Sequence, residues 1–234
     1  MPRGKKEYSD SEYLDAILTV LFKKDALTST DIAKRIYENG HIVGNQEFTS
    51  LQSTVNNFLS KHTSDKESNN NNLPKGRVND IFKCDIINKK THKWSIRSLE
   101  CVISFISQDA NNLNNNHKQS NEDKRNPSVI TVAKELANHR CEIDPTHESF
   151  ETDKGVMFTH GHHLIPWCKR NLFENSIDIV QNICALDSNC HANIHLGTWD
   201  NKVKLLKILY DKKIDGLRKV GFDISFEELL ELYK

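Results

Sequence analysis

No run of apolar residues in this sequence is long enough to cross a bilayer. Stretches such as Leu14 to Phe22 are interrupted by polar side chains and fall short of the roughly 20 residues a spanning helix needs. The N-terminal Met-Pro-Arg-Gly-Lys-Lys is basic, but no apolar h-region follows it, so a secretory signal is not expected. Net charge is missing too: 32 Lys and Arg balance 32 Asp and Glu, so the chain as a whole does not advertise a nucleic-acid partner. No internal repeat is visible. These absences predict a cytoplasmic protein with no membrane partner, in which the six cysteines (84, 101, 141, 168, 184, 190) stay reduced. Clustered thiols in that setting point to metal binding or burial before disulfides.

What is present is a 234-residue chain, 37% hydrophobic and 27% charged, enough for one large globular domain or two small ones. Its charge is unevenly spread. Seven Lys/Arg between Lys75 and Arg97 face only Asp80 and Asp85, and seven between Asn201 and Lys219 face only Asp211 and Asp215. A local basic surface can engage phosphates on a neutral molecule, although each cluster alone is as readily a solvated face.

Two asparagine-rich tracts punctuate the chain, Ser68 to Asn72 and Asn111 to Asn126. The second has the low hydrophobicity of a linker, which divides the chain into residues 1–107, a linker 108–126 and residues 127–234. In the first part Leu14, Ile17, Leu18 and Leu21 recur at helical spacing. Thr28 and Asp31 resemble a capping box for a short helix ending near Gly40, and Leu51, Val55, Phe58 and Leu59 mark a third helix. Ile81 to Ile87 and Trp94 to Arg97 read as strands joined by the basic turn Asn88-Lys89-Lys90-Thr91. Three helices and a basic hairpin resemble a winged helix-turn-helix domain. Its third helix would offer Gln46, Thr49, Ser50, Gln52, Ser53 and Asn56 to a major groove, with Lys89 and Lys90 on the wing. Winged helices also bind proteins, so the interaction-only alternative stands beside the DNA-binding one. In the last part, Ser128 to His139 reads as a helix, Val156 to Phe158 as a short strand and Val203 to Val220 as a lysine-rich helix closed by Gly221. Ser225 and Glu228 open a final helix as a capping box.

Seven of the eleven histidines fall between residues 139 and 195. His191 and His195 are four apart, on one face of a helix, which makes a ready two-ligand metal site that His162 from a facing strand would complete. His162 and His163 are adjacent, so on a strand they point to opposite sides and can do different work. A neutral imidazole suits deprotonation of an attacking water, and phosphodiester hydrolysis also needs a cation against the phosphate charge. H-x3-H alone is more often a surface or structural pair, and a lone Asn182 is ordinarily a cap or turn residue.

Taken together, Cys141-Glu142-Ile143-Asp144, His147, Phe150, His162-His163-Leu164-Ile165-Pro166, Asn182, Leu186 and Cys190-His191-x-x-Ile194-His195 resemble the HNH endonucleases of the ββα-metal fold, over roughly residues 128–234. The resemblance implies an α+β chain, a winged-helix-like reader followed by an HNH nuclease domain with flanking helices. It implies His163 as general base, and His162, His191 and His195 as ligands of one divalent cation (Mg2+, Mn2+, Ni2+, Co2+ or Zn2+). Asn182 would brace the β-hairpin and keep His163 oriented, and the products would carry a 5′-phosphate and a 3′-hydroxyl. Lys169 and Arg170 either touch phosphate or solvate a turn.

Two departures stand out. Relatives often hold a structural zinc through a C-x2-C before the last histidines, but here that segment reads Asp187-Ser188-Asn189-Cys190. Cys141, His147 and Cys190 with Asp187 or Cys184 form one candidate zinc set; the alternative is no zinc, with the cysteines simply buried. The second departure is His160, where relatives carry an acidic residue. The expected function is restriction of double-stranded DNA, by sequence or by base modification. One site cuts one strand, so double-strand cleavage implies a homodimer. The competing readings are a DNA-binding regulator with a structural metal module, and a nuclease toxin or RNA-directed nuclease.

Overall fold

A computed structural model describes residues 8–22, 26–40, 48–63, 81–88, 91–106, 125–153 and 155–234. Internal contacts divide the chain into two units, residues 1–108 and 109–234. Both are mixtures of helix and small antiparallel sheet. Of the linker expected at 108–126, only Arg125 and Asn126 are described, and Gln46, Lys89 and Lys90 also lie outside the described residues.

In the first unit Ser9 starts helix α1 (Asp10–Leu21) through a capping box with Glu12. Thr28 caps α2 (Ser29–Glu38), its hydroxyl accepting the Asp31 N–H at 3.1 Å, and α3 spans Phe48–Lys61. Strands β2 (Phe82–Asn88) and β3 (Thr91–Ile96) form the expected hairpin. A two-residue strand β1 (Leu27–Thr28), too short for any periodic signal, pairs with the other edge of β3. The sheet order is β1-β3-β2, all antiparallel. Trp94 on the central strand opposes both Leu27 and Cys84 and is fully buried. Leu14, Ile17, Ile32, Ile36, Leu51, Val55 and Leu59 of the three helices are buried as well, each contributing roughly 1.5–3 kcal/mol by leaving water. A further helix, α4, covers residues 99–106.

In the second unit Asn126 caps α5 (Pro127–Leu136), with Pro127 at the first helical position, where its missing N–H costs nothing. The helix stops short of the expected His139 because Asn138 and His139 take positive φ, 49° and 52°. The expected strand at Val156 to Phe158 reduces to a single bridge, Glu151 to Met157. The histidine-bearing strand is β4 (His160–His163), which pairs antiparallel with β5 (Ile183–Leu186) in the register His162 to Cys184 and His163 to Ile183. Helix α6 (Ser188–Leu196) follows, then α7 (Trp199–Lys219), which starts ahead of Val203 because Thr198 caps it. Helix α7 ends at Gly221, whose φ of 94° lets the Phe222 N–H turn back to the Leu217 carbonyl at 2.9 Å. Helix α8 (Phe226–Glu231) opens on the Ser225–Glu228 capping box. The core between the hairpin and these helices is Leu164, Ile165, Ile177, Leu186, Ile194, Leu206, Leu217 and Leu229, all at most 1% exposed.

Helix α5 lies close against β4 at Gly161, where an added Cβ would sit 2.6 Å from Ile130 Cγ2 and 3.4 Å from Ile130 Cβ. A β-branched side chain cannot swing clear of that contact. Gly161→Ala is therefore expected to destabilise this unit by about 1–3 kcal/mol. A thermal midpoint in circular dichroism unchanged within a degree would mean that helix and strand are not packed this tightly.

Candidate metal centre

Strand β4 and helix α6 place the two halves of the histidine cluster against each other. Alternation along β4 sends His162 toward α6, where the four-residue spacing stacks His191 and His195 on one face. One ligand atom from each of His162, His191 and His195 lies within 4.8 Å of the others. The ring centroid of His162 is 5.5 Å from that of His191 and 5.0 Å from that of His195. Burial pushes His162 down to about 3, helped by the neighbouring His195, His191 and His163. Burial also lowers His191 and His195. Neutral imidazoles with free lone pairs are what a divalent cation needs.

The tautomer of His162 follows from its hydrogen bonds. Tyr233 donates its hydroxyl proton to the Leu164 carbonyl at 2.8 Å, so it accepts from His162 Nε2 at 2.9 Å. That leaves Nδ1 of His162 unprotonated, and a ligating histidine ordinarily donates its other N–H in this way. Nothing in the spacing of the sequence marked Tyr233, which lies in the tail that follows α8.

His163 points away from α6. Its Nε2 lies 3.0 Å from Asp178 Oδ1, with both side chains buried. Both histidines nevertheless line one pocket of about 390 Å³, together with Arg125, Trp167, His191, His195, Lys202 and Tyr233. The guanidiniums of Arg125 and Arg170 lie over the Trp167 ring at 5.6 and 5.1 Å. Asn182 is fully buried, and its side-chain hydrogen bonds go to backbone groups rather than to the His163 ring. Its Oδ1 accepts the Ile165 N–H at 2.7 Å and its Nδ2 donates to the Ile165 and Ile177 carbonyls at 3.1 and 2.9 Å. The amide therefore ties the chain leaving β4 to the chain entering β5. His160 stacks flat on His191, with centroids 4.6 Å apart and an interplanar angle of 8°, and its Nε2 lies 3.3 Å from Ser188 Oγ.

A second cluster sits at the start of α6. Cys141, His147, Asp187 and Cys190 each bring a ligand atom within 4.8 Å of the rest, a set consistent with a metal ion. His147 Nδ1 is 2.9 Å from Asp187 Oδ2 and 3.4 Å from Cys190 Sγ. Asp187 also caps α6, its Oδ1 accepting the Asn189 and Cys190 N–H groups at 2.7 and 3.0 Å. Burial works to raise the Asp187 carboxyl, but hydrogen bonds from Cys141, Cys190 and His147 outweigh it and hold it below the usual carboxylate range. Burial raises the Cys190 thiol, with Asp187 alongside adding to the effect. A thiol so shifted is lowered when a cation takes the proton's place. Cys184 is not part of this set; it is fully buried in the core, where its thiol is pushed up to about 12. Of the other residues singled out, Gln52 is held by Thr30 Oγ1 at 2.7 Å, Asn56 is half-buried on α3, and Lys169 and Arg170 lie on a 3-10 turn, Trp167–Leu172.

No family model and no curated protein matches this sequence. Among solved structures it is similar to the Type IV phosphorothioation-dependent restriction endonuclease ScoMcrA, with a TM-score of 0.41 and 21% identity. The match takes in 52% of this chain and 22% of that one; the chain spans about a fifth of that restriction endonuclease.

Two results are expected from these contacts. Asn182→Ala strands the Ile165 N–H and two buried carbonyls, each worth about 1–3 kcal/mol, so chemical denaturation should show a loss of more than about 2 kcal/mol. Cys190→Ala should lower the zinc retained after purification by about one equivalent per chain, read by elemental analysis; unchanged zinc would rule out the Cys141–Cys190 set as its site.

Proposed function

We propose that this chain is a metal-dependent DNA endonuclease of the HNH, ββα-metal type. The observation that carries the reading is the convergence of His162, His191 and His195 beside a pocket that His163 also lines. A hairpin followed by a helix, each contributing to one three-imidazole set, is the arrangement the ββα-metal name describes. A divalent cation held by these three would neutralise charge on a phosphate and its leaving oxygen. The remaining chemistry belongs to the chain. His163 takes a proton from water, the water oxygen bonds to phosphorus, and the P–O3′ bond breaks. The O3′ leaving group takes up a proton from solvent, so the cut strand is left with one fragment ending in a 5′-phosphate and one ending in a 3′-hydroxyl. Arg125 and Lys202 line the same pocket, and in this reading their charges hold the non-bridging oxygens. Tyr233 keeps His162 in the ligating tautomer, and the Cys141–Cys190 set anchors the start of α6 around a structural zinc.

In this reading the first unit selects the DNA, as a winged-helix-like domain. Helices α1 to α3 and the β1-β3-β2 sheet support that assignment, and Thr49, Ser50 and Ser53 are exposed along α3 where bases would be read. One site per chain makes a twofold homodimer the simplest route to double-strand cleavage. Among the described residues no helix is long and apolar enough to cross a membrane. As a restriction enzyme the protein would act on DNA in the cytoplasm.

The test is plasmid, phage and modified DNA incubated with Mg2+, Mn2+, Ni2+ or Co2+. Wild type is expected to cut only with divalent metal. His163→Ala should lose about 10²–10⁴-fold in rate while keeping metal and DNA affinity. Cleavage by that variant at the wild-type rate sinks the base assignment, and metal-independent cleavage by wild type sinks the mechanism.

A further inference from the structure

We propose that Asp178 is the positioning residue of His163, fixing the imidazole proton on Nε2 so that Nδ1 alone can receive a proton. The catalytic consequence rests on the nuclease reading above; the geometry does not. Asp178 Oδ1 lies 3.0 Å from His163 Nε2, with only 6% and 4% of the two side chains exposed. A carboxylate accepts hydrogen bonds, so this contact requires the ring to donate from Nε2. The second oxygen is also committed. Oδ2 accepts the Asn126 backbone N–H at 2.6 Å, at the residue that caps α5, while the Asp178 N–H donates to Ser176 Oγ at 3.2 Å. The carboxylate is thus clamped between α5 and β4 and cannot turn away from the ring.

A neutral imidazole carries one N–H. With that proton on Nε2, the lone pair of Nδ1 is left for the pocket that His163 lines. When Nδ1 takes a proton from water, the resulting imidazolium still faces a carboxylate, so no unpaired cation is left buried. The hairpin brace at Asn182 sets the backbone of this region, but the ring itself is aimed by Asp178.

Asp178→Asn separates these roles. The variant keeps the shape but offers one carbonyl where two acceptors are needed. Because the Asn126 N–H can only donate, it takes the carbonyl, and the amide NH2 then faces His163 Nε2 and drives the ring proton to Nδ1, disabling it as a base. The experiment uses the full chain labelled with 15N-histidine, with His163→Ala identifying the His163 signal. Wild type is expected to show Nε2–H and Asp178→Asn to show Nδ1–H. DNA cleavage with Mg2+ should fall about 10²–10⁴-fold in the variant, with Mn2+ and DNA affinities within threefold of wild type. An Nδ1–H signal for His163 in wild type, or an unchanged tautomer in a folded Asp178→Asn, overturns the proposal. Should the variant fail to fold, the wild-type tautomer still decides. A wild type that cuts no DNA would fail the nuclease reading, whereas Nε2–H in wild type and its loss in the variant would still support the positioning role.

Discussion

The side-chain amide of Asn182 is the constraint from which the second unit is built. It is buried, and it satisfies three backbone groups on two segments that otherwise have no ladder partner, at Ile165 and Ile177. A buried amide left without partners is costly, and with all of them it specifies one arrangement. Because Asn182 immediately precedes β5, holding Ile165 beside it sets the register that opposes His163 to Ile183 and His162 to Cys184. A one-residue slip in that register would exchange the faces of the two histidines, sending His163 toward α6 and His162 toward Asp178. The opposite facing of the adjacent imidazoles is therefore set from Asn182, whose side-chain hydrogen bonds go to backbone groups at Ile165 and Ile177.

Much of this was legible in the residue order, and the reasons differ by feature. Helix starts at Thr28 and Ser225 were visible because capping is a local hydrogen bond between residues three apart. The pairing of His191 with His195 was visible because helical spacing is periodic, and His162 joined them as a third ligand from a facing strand, an assignment that the family pattern repeats. What could not be read was held by contacts distant in sequence. Asp178 reaches His163 across fifteen residues and Tyr233 reaches His162 across seventy-one, and neither interval has a periodicity that spacing could reveal. The strand expected at Val156 to Phe158 failed for the opposite reason: its residues favour strand locally, but the Thr152 to Val156 turn brings it back on Phe150 after one bridge.

Asp187 shows how one substitution in a pattern changes a local argument. An aspartate is a weaker zinc ligand than a thiolate, which by itself argues against a metal at Cys141, His147 and Cys190. An aspartate is also one of the best helix N-caps, and here it caps α6 through Oδ1 while Oδ2 remains directed at His147. The helix that carries His191 and His195 is thus started by the same side chain that belongs to the Cys/His cluster. Cys190 and His191 are consecutive, so the two clusters share a backbone segment, and displacement of one moves the other.

The charge of the histidine set narrows what the pocket can accept. Three neutral imidazoles would leave the full charge of a divalent cation uncompensated, in contrast to a site built with carboxylates. Arg125 and Lys202 add positive charge to the same walls, and the Asp178 carboxylate beside His163 is already engaged by that ring and the Asn126 N–H. In the proposed reading, an anion with several oxygen acceptors would complete such a site, because Coulomb attraction in a partly buried pocket is stronger than it would be in water. A phosphodiester meets that requirement with its non-bridging oxygens. Burial, which lowers the basicity of His162, also favours the site, because a proton then competes less with a cation for the lone pair of the ring.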